Sequence, residues 1–201
     1  MQQELFNSTT ENLLPFDGEV YFYPAFFNKA ESDHYLKNIL ANIQWKQEPI
    51  KIFGKTLMQP RLTAWYGDAT KKYSYSGITM QPLPWTPDLI AIKQKIETIA
   101  AVNFTSALLN LYRNGQDSMG WHRDNEPELG INPVIGSVSF GDARMFKLRN
   151  YADKKIIRQA ILTHGSFLLM KGATQHYWEH QVPKTNAALK ERINITFRII
   201  N

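Results

Sequence analysis

The sequence predicts an α+β fold whose C-terminal half is a double-stranded β-helix, or jelly roll. Three observations lead there. Two segments before residue 103 carry helical periodicity; short strand-like runs then follow one another with no helix between them; and those runs are separated by Gly, Asn, Asp and Pro turn chemistry. Closely spaced strands without intervening helices make a sandwich, a jelly roll or a barrel.

The elements follow in chain order. Residues 1–12 are polar and are expected to be loose. Asn28 is placed to cap a helix over 29–43, with Tyr35, Leu36, Ile39, Leu40 and Ile43 on one face. Between 50 and 85 the helical period disappears in favour of short strands and turns rich in Tyr, Gly and Pro. Thr86 followed by Pro87 starts a second helix, whose expected buried stripe is Leu89, Ile90, Ile92, Ile96 and Ile99. The strand runs are TSALLNLY, PVIGSVSFG, ARMFKLRN, KIIRQAILT, GSFLLMKG, HYWEHQVP and RINITFRII. The division expected is a loose 1–12, a helical and turn-rich 13–102, and a strand core over 103–201, within one structural domain whose helices cover one sheet.

Composition narrows the function. The chain has 201 residues, 43% hydrophobic and 12% aromatic, enough to bury a core. No apolar run approaches the roughly 20 residues of a membrane span, and MQQELFNSTTENLLPF lacks the basic start and apolar stretch of a signal peptide. An intracellular monomer with no membrane partner is expected, cytoplasmic if bacterial and nuclear if eukaryotic. With no cysteine, any metal site must be built from His, Asp or Glu. The net charge of +5 suits a polyanionic partner without requiring one.

The densest cluster of chemistry is GWHRDNE, residues 120–126. It follows a strand and a turn, so His122 and Asp124 stand at a strand end. At i and i+2 of an extended chain they face the same side. A His and a carboxylate side by side are two of the three protein ligands of a 2-His-1-carboxylate iron site; a solvated loop is the plainer reading. A third ligand must come from the remaining histidines. His34 belongs to the first helix, and His164 begins a strand and reads as structural. His176 and His180 share HYWEHQVP, which reads as extended rather than as a helical zinc pair. Parity leaves both open, with a modest preference for His180. In the last run, Ile193, Ile195, Phe197 and Ile199 alternate with Arg192, Asn194, Thr196 and Arg198. The polar set either meets water or lines a barrel mouth, where two arginines would receive the carboxylates of a dicarboxylic acid.

NLYRNGQDSMGWHRDNE, SVSFGDARMFKLR, LTHGSFLLMKGATQHYWEHQVPK and ERINITFR together resemble the AlkB family of Fe(II)/2-oxoglutarate dioxygenases, over roughly residues 50–201. IFGK, PRLTAWYGD and YSYSG resemble its duplex-DNA repair branch. The resemblance implies His122, Asp124 and His180 as iron ligands, His180 being the histidine before Val-Pro. It implies Asn110, Tyr112, Arg192, Asn194 and Arg198 as 2-oxoglutarate ligands, Arg192 with Tyr112 on the far carboxylate and Arg198 on the near one, with O2 as the other cosubstrate. Glu126, Tyr73, Tyr75 and Ser76 fall where the family addresses the base, the last three in a nucleotide-recognition lid. Phe53, supported by Ile52 and Gly54, falls where a wedge fills the gap left by a flipped base; a core phenylalanine is the plainer reading.

The implied reaction is repair of DNA containing alkylated bases, duplex or single-stranded, by oxidation of N-methyl groups on 1-methyladenine and 3-methylcytosine with loss of formaldehyde. The sequence departs from the duplex specialists at NYADKK, which is short, and after His180, where VPKTNAALK offers only Lys184 and Lys190. RNA or protein demethylation on the same scaffold, and a β-barrel binding module without catalysis, are the alternatives.

Overall fold

The protein's structure, a computed structural model, describes residues 11–52, 55–69, 73–75 and 78–200. The strands and helices are β1 (Glu19–Tyr23), α1 (Lys29–Asn42), β2 (Pro49–Ile52), β3 (Lys55–Met58), β4 (Leu62–Gly67), β5 (Tyr73–Tyr75), β6 (Ile78–Met80), α2 (Pro87–Ala100), β7 (Ser106–Tyr112), β8 (Met119–His122), β9 (Ile135–Gly141), β10 (Arg144–Asn150), β11 (Ile157–Leu162), β12 (Ser166–Lys171), α3 (Thr174–Tyr177), β13 (Trp178–Val182) and β14 (Arg192–Arg198). A six-stranded sheet runs β1-β12-β9-β14-β7-β4, and a four-stranded sheet runs β11-β10-β13-β8. Every pairing in both is antiparallel. Strands β7–β14 divide equally between the two sheets, which is the expected jelly roll.

Residue 103 does not divide the strands as expected. β1 and β4 come from the N-terminal half and pair with β12 and β7, closing both edges of the larger sheet. Asn12, assigned to the loose N-terminus, is instead fixed. Its side chain accepts from the N–H groups of Leu14 and Val20 and donates to the Gly18 carbonyl, so it templates the turn into β1. Residues 1–10 lie outside the described residues.

The two long helices start as their sequences dictate. Asn28 and Glu31 form a capping box, each side chain accepting from the other's main-chain N–H at 2.9 and 2.8 Å. Thr86 accepts from Leu89 N–H, and Pro87 occupies the first turn, where no donor is lost. Both helices cover the outer face of the larger sheet. Their Ile39, Ile43, Leu89, Ile92 and Ile96 join Ala107, Leu109, Val138, Phe140, Phe167, Ile193, Ile195 and Phe197 in one core. Lys95 of α2 reaches both carboxylate oxygens of Glu31, tying the helices together. The stripe of α2 is narrower than expected: Ile90 and Ile99 are 40% and 41% exposed, while Leu89, Ile92 and Ile96 are fully buried. Ile90 is turned about 100° from Leu89, and Ile99 sits in the last turn.

The inner faces enclose a second core of Tyr112, Ile135, Phe146, Leu148, Leu162, Leu168, Met170, Trp178 and Val182. β14 therefore has no wet face. Its apolar residues point to the helices and its polar residues into the barrel, with Arg192, Asn194 and Thr196 all buried.

The unequal burial along α2 is open to a direct test. Ile92→Ala should cost about 2–5 kcal/mol in urea unfolding, and Ile90→Ala less than half as much. Equal losses would mean that the packed stripe is wider than the burial indicates.

Candidate active site

His122 ends β8 and pairs directly with His180 on β13, so both rings project from neighbouring strands to the inner face, with centroids 4.2 Å apart. Asp124 follows two residues beyond β8. Its carboxylate oxygens lie 4.0 Å from His122 Nε2 and 3.9 Å from His180 Nε2, and one atom from each of the three residues falls within 4.8 Å of the others. His122 Nδ1 lies 2.8 Å from the Gly120 carbonyl, which keeps the proton on Nδ1 and leaves the Nε2 lone pair facing the cluster. Two imidazole nitrogens and one carboxylate, all on one side, fit a ferrous ion with positions left open for other ligands.

The other histidines separate cleanly. His164 accepts Gly141 N–H on Nδ1 and meets Asp33 on Nε2, a structural role that joins the β9 turn to α1. His34 lies on α1, 3.4 Å from Asp88. His176 belongs to α3, a single helical turn, and is exposed. The expectation of a continuous extended segment over 176–183 is thus corrected: extension begins at Trp178, and His176 and His180 do not share a strand face.

Beneath the cluster, β14 supplies the barrel's polar floor. Arg198 donates to Asp124 at 2.7 Å, and its buried Nε has no partner. Arg192 is 1% exposed. It donates to Ser139 and packs over Tyr112, with Nε and Nη1 buried and unpaired. Burial, with Arg144 adding to it and Tyr112 opposing, brings this guanidinium down to about 10, so it stays cationic at neutral pH. A buried cation with idle donors lacks an anion, and a carboxylate fits both its charge and its fork. The cavity between the metal cluster and this floor is lined by Asn110, Tyr112, Asn194, Thr196 and Arg198, together with Ser137, Phe146 and Met170. Arg192 is set behind that lining. Asn110 and Asn194 already have protein partners: Arg61 donates to the first, and the second donates to Ser137 and Val138.

Glu126 is half-buried two residues past Asp124. Its main-chain carbonyl closes the turn at Pro127–Leu129, and one carboxylate oxygen is buried without a partner. Ile52 lies on β2 opposite Lys55, and Tyr73 and Tyr75 lie on β5, which pairs only with β6 among the described residues. The side chains of these three, and all of Phe53, Gly54 and Ser76, lie outside the described residues.

Sequence reasoning passed over several residues here. Ser137 and Ser139 form an S-x-S on β9 whose parity matches Asn194 and Thr196 across the register, a legible signal. Arg61 and Phe146 are also inward-facing. On the outer face of the smaller sheet, Arg149 stacks over Trp121 at 4.1 Å and bonds to Glu179, which also receives Lys154; Tyr151 lies between Lys154 and Arg123. These pairs join distant strands and carry no local signal.

Burial pulls the His180 imidazole down to about 3, with His122 and Arg198 adding to it and Asp124 opposing, so the ring is neutral and able to bind metal. For Asp124, burial pushes the carboxyl up but is outweighed by Arg198, then His180 and His122, and it sits below its ordinary value. An unfolded histidine protonates near 6.5. Below that pH the unfolded chain gains a proton that native His180 refuses. Stability of the metal-free protein is therefore complete above about pH 6.5 and falls as the pH drops toward 3. Urea unfolding in chelator should lose about 1 kcal/mol between pH 7.5 and 5.5 on account of His180. His180→Asn should flatten that difference, and an equal loss in the variant would place its cause elsewhere.

Comparison with known proteins agrees with this geometry. The model of the 2OG-Fe(II) oxygenase superfamily matches residues 19–198. The chain is 42% identical over 193 residues to the Homo sapiens alpha-ketoglutarate-dependent dioxygenase alkB homolog 3, covering 90% of this chain and 66% of that one. It is 35% identical over 188 residues to the Homo sapiens DNA oxidative demethylase ALKBH2, covering 89% and 72%. The bovine (Bos taurus) alkB homolog 3 is matched over 64% of its length, so the chain spans a little under two thirds of these homolog 3 relatives. Among solved structures, one described as the structure of OsALKBH1 shares the fold at a TM-score of 0.63 and 17% identity, covering 89% of this chain and 97% of that one. A family model over nearly the whole chain and these identities agree: the chain belongs to the AlkB family of the 2OG-Fe(II) oxygenase superfamily.

Proposed function

We propose that the protein is an Fe(II)- and 2-oxoglutarate-dependent dioxygenase that removes N-methyl groups from DNA bases, with 1-methyladenine and 3-methylcytosine as its substrates. The observation that carries this is the gathering of His122, Asp124 and His180 at the mouth of a polar cavity, with the buried Arg192 and its idle donors behind the cavity wall.

In this reading His122, Asp124 and His180 hold the metal. Arg198 serves the carboxylate beside it, and Arg192 with Tyr112 the far carboxylate, flanked by Asn110 and Asn194. Bound there, Fe(II) with 2-oxoglutarate and O2 supplies an oxidation that converts N-methyl to N-hydroxymethyl and releases succinate and CO2. The hydroxymethyl product then loses formaldehyde and leaves the repaired base. The chain's own part is to orient and to exclude water. Arg198 neutralises the Asp124 carboxylate, which would be a ligand of the metal. The base positions methylated at N1 of adenine or N3 of cytosine carry positive charge. The unpaired carboxylate oxygen of Glu126 meets that charge, with Tyr73, Tyr75 and Ser76 covering the base. The target atom lies on the pairing edge, so the base must leave the stack, at a cost of a few kcal/mol in a duplex. Ile52, Phe53 and Gly54 would form the wedge that fills its place.

Single strands suit this chain well. NYADKK is short, and its Lys154 is engaged by Glu179 and Tyr151, while Arg149 is engaged by Trp121 and the same carboxylate. These cations are held by the protein itself, which supports a weak grip on a second strand.

The test is formaldehyde and succinate release against oligonucleotides carrying each lesion in single-stranded DNA, duplex DNA and RNA. Release that requires 2-oxoglutarate and is fastest on DNA supports the proposal; faster release from RNA reassigns the substrate. No release from any of them, with metal and 2-oxoglutarate both bound, ends the proposal. His180→Ala should lose metal and turnover, whereas His176→Ala should retain both. Arg198→Lys should raise the 2-oxoglutarate requirement about tenfold or more, because a point charge cannot replace the guanidinium fork. An unchanged KM would remove Arg198 from the cosubstrate site. Phe53→Ala should slow duplex repair far more than single-strand repair; equal losses with a lowered Tm would make Phe53 a core residue.

A further inference from the structure

We infer that Gln175 is a positioning residue for the carboxylate ligand, holding the main chain of Asp124 through its buried side-chain amide. This rests on the reading of His122, Asp124 and His180 as metal ligands. The three are not held alike. His122 and His180 sit on paired strands, where the ladder of β8 and β13 fixes their main chains and hence the origin of each ring. Asp124 lies past the end of β8 in irregular chain, where no ladder reaches it. Its main-chain N–H donates instead to Gln175 Oε1 at 2.9 Å. A bond to a side chain is as good an anchor as a ladder bond only if that side chain is itself fixed. Gln175 meets this condition, being 0% exposed.

The element that carries it is fixed as well. α3 is one turn long, and its first residue, Thr174, is 1% exposed. The Thr174 hydroxyl donates to the Lys171 carbonyl at 2.6 Å and accepts Glu19 N–H at 2.8 Å, fastening α3 to both β12 and β1. From the other side, Arg123 Nη1 donates to the His176 carbonyl at 3.0 Å. The segment Arg123–Asp124 is thus clipped to α3 by two hydrogen bonds, and the strand that follows α3 carries His180. The remaining amide group of Gln175 points to Met170 Sδ at 3.6 Å, a residue of the cavity wall. Gln175 therefore joins the second and third ligands through one short path.

The choice of glutamine follows from charge and reach. A neutral amide oxygen satisfies a buried N–H without adding a second carboxylate beside Asp124. Asparagine is one methylene shorter and would fall short of the N–H. Leucine fills the space and leaves a buried donor unpaired.

Co(II) binding to the metal-stripped protein, followed by calorimetric titration with a thermal melt for each variant, reads the ligand set without turnover. Outer partners of metal ligands commonly change affinity by 10–100-fold. Gln175→Leu and Gln175→Asn should each weaken Co(II) binding about tenfold or more. Ile92→Ala, destabilised far from the site, serves as the stability control and should keep wild-type Co(II) affinity despite its lowered Tm. Gln175→Leu and Gln175→Asn that bind Co(II) like wild type, with only the Tm reduced, would overturn the inference. Failure of the wild type itself to bind Co(II) would instead sink the metal-site reading on which the inference stands. Should Gln175→Leu not fold, Gln175→Asn decides alone.

Discussion

A guanidinium sealed inside a barrel with donors to spare is the constraint on which the rest of the site depends. Transfer of an unpaired charge to an apolar interior costs several kcal/mol even after relaxation. Arg192 is held in that condition by Ser139 and Tyr112, which satisfy part of its fork and leave Nε and Nη1 idle. Such a group is tolerable when an anion arrives to complete it. The polar inner face of β14 follows from the same constraint, since Asn194 and Thr196 must continue the hydrogen-bonded lining between Arg192 and Arg198. The apolar outer face follows too. With polar residues turned inward, the other side of β14 needs its own cover, and α1 and α2 provide it.

Asp124 is where this buried charge meets the mouth of the barrel. One carboxylate oxygen takes a hydrogen bond from Arg198, and both oxygens lie about 4 Å from an imidazole nitrogen. Burial alone would favour the protonated acid, yet Arg198 and the two histidines hold it ionised. The His180 ring is kept neutral by the same burial. One environment thus sets both ligand types in the protonation state that metal binding requires, a carboxylate and a neutral imidazole. Charge within the cluster is balanced by a cation from the floor.

How much of this was legible depended on how local each cause is. The H-x-D at a strand end and the alternation of the last strand are written within a few residues, and the structure turns both, from opposite sheets, into one cavity. Both long helices began where Asn28 and Thr86-Pro87 said they would. Other features were set by distant partners. β1 owes its existence to pairing with β12, about 150 residues later, and EVYFY carries no sign of that. The contrast between Ile90 and Ile92 is decided by where the sheet lies, not by hydropathy. Parity could not separate His176 from His180, which an even spacing would put on one face; α3, which contains His176, is what separates them. Gln175 lies 51 residues from Asp124 and Glu179 lies 30 from Arg149, so their bonds exist only once the register is fixed.

The outer face of the smaller sheet shows what that register adds. Trp121 and Arg123 flank His122, and Glu179 precedes His180, so alternation turns all three away from the metal cluster. There they are joined. Arg149 links Trp121 to Glu179, Lys154 links Glu179 to Tyr151, and Tyr151 carries Arg123. Burial alone would raise the Glu179 carboxyl, but Lys154 and Arg149 outweigh it and keep it ionised. A chain of cations over aromatic rings, anchored on one buried carboxylate, thus runs across β8, β13 and β10, directly behind the two imidazoles. Strand β8 has only four residues, and its pairing with β13 is interrupted by a register shift next to His180. The ladder nevertheless pairs His122 directly with His180. The side-chain chain on the opposite face adds cross-strand contacts among β8, β10 and β13. Arg123, Arg149 and Lys154, the basic residues of this face, are thus each held against an aromatic ring, the last two also by Glu179.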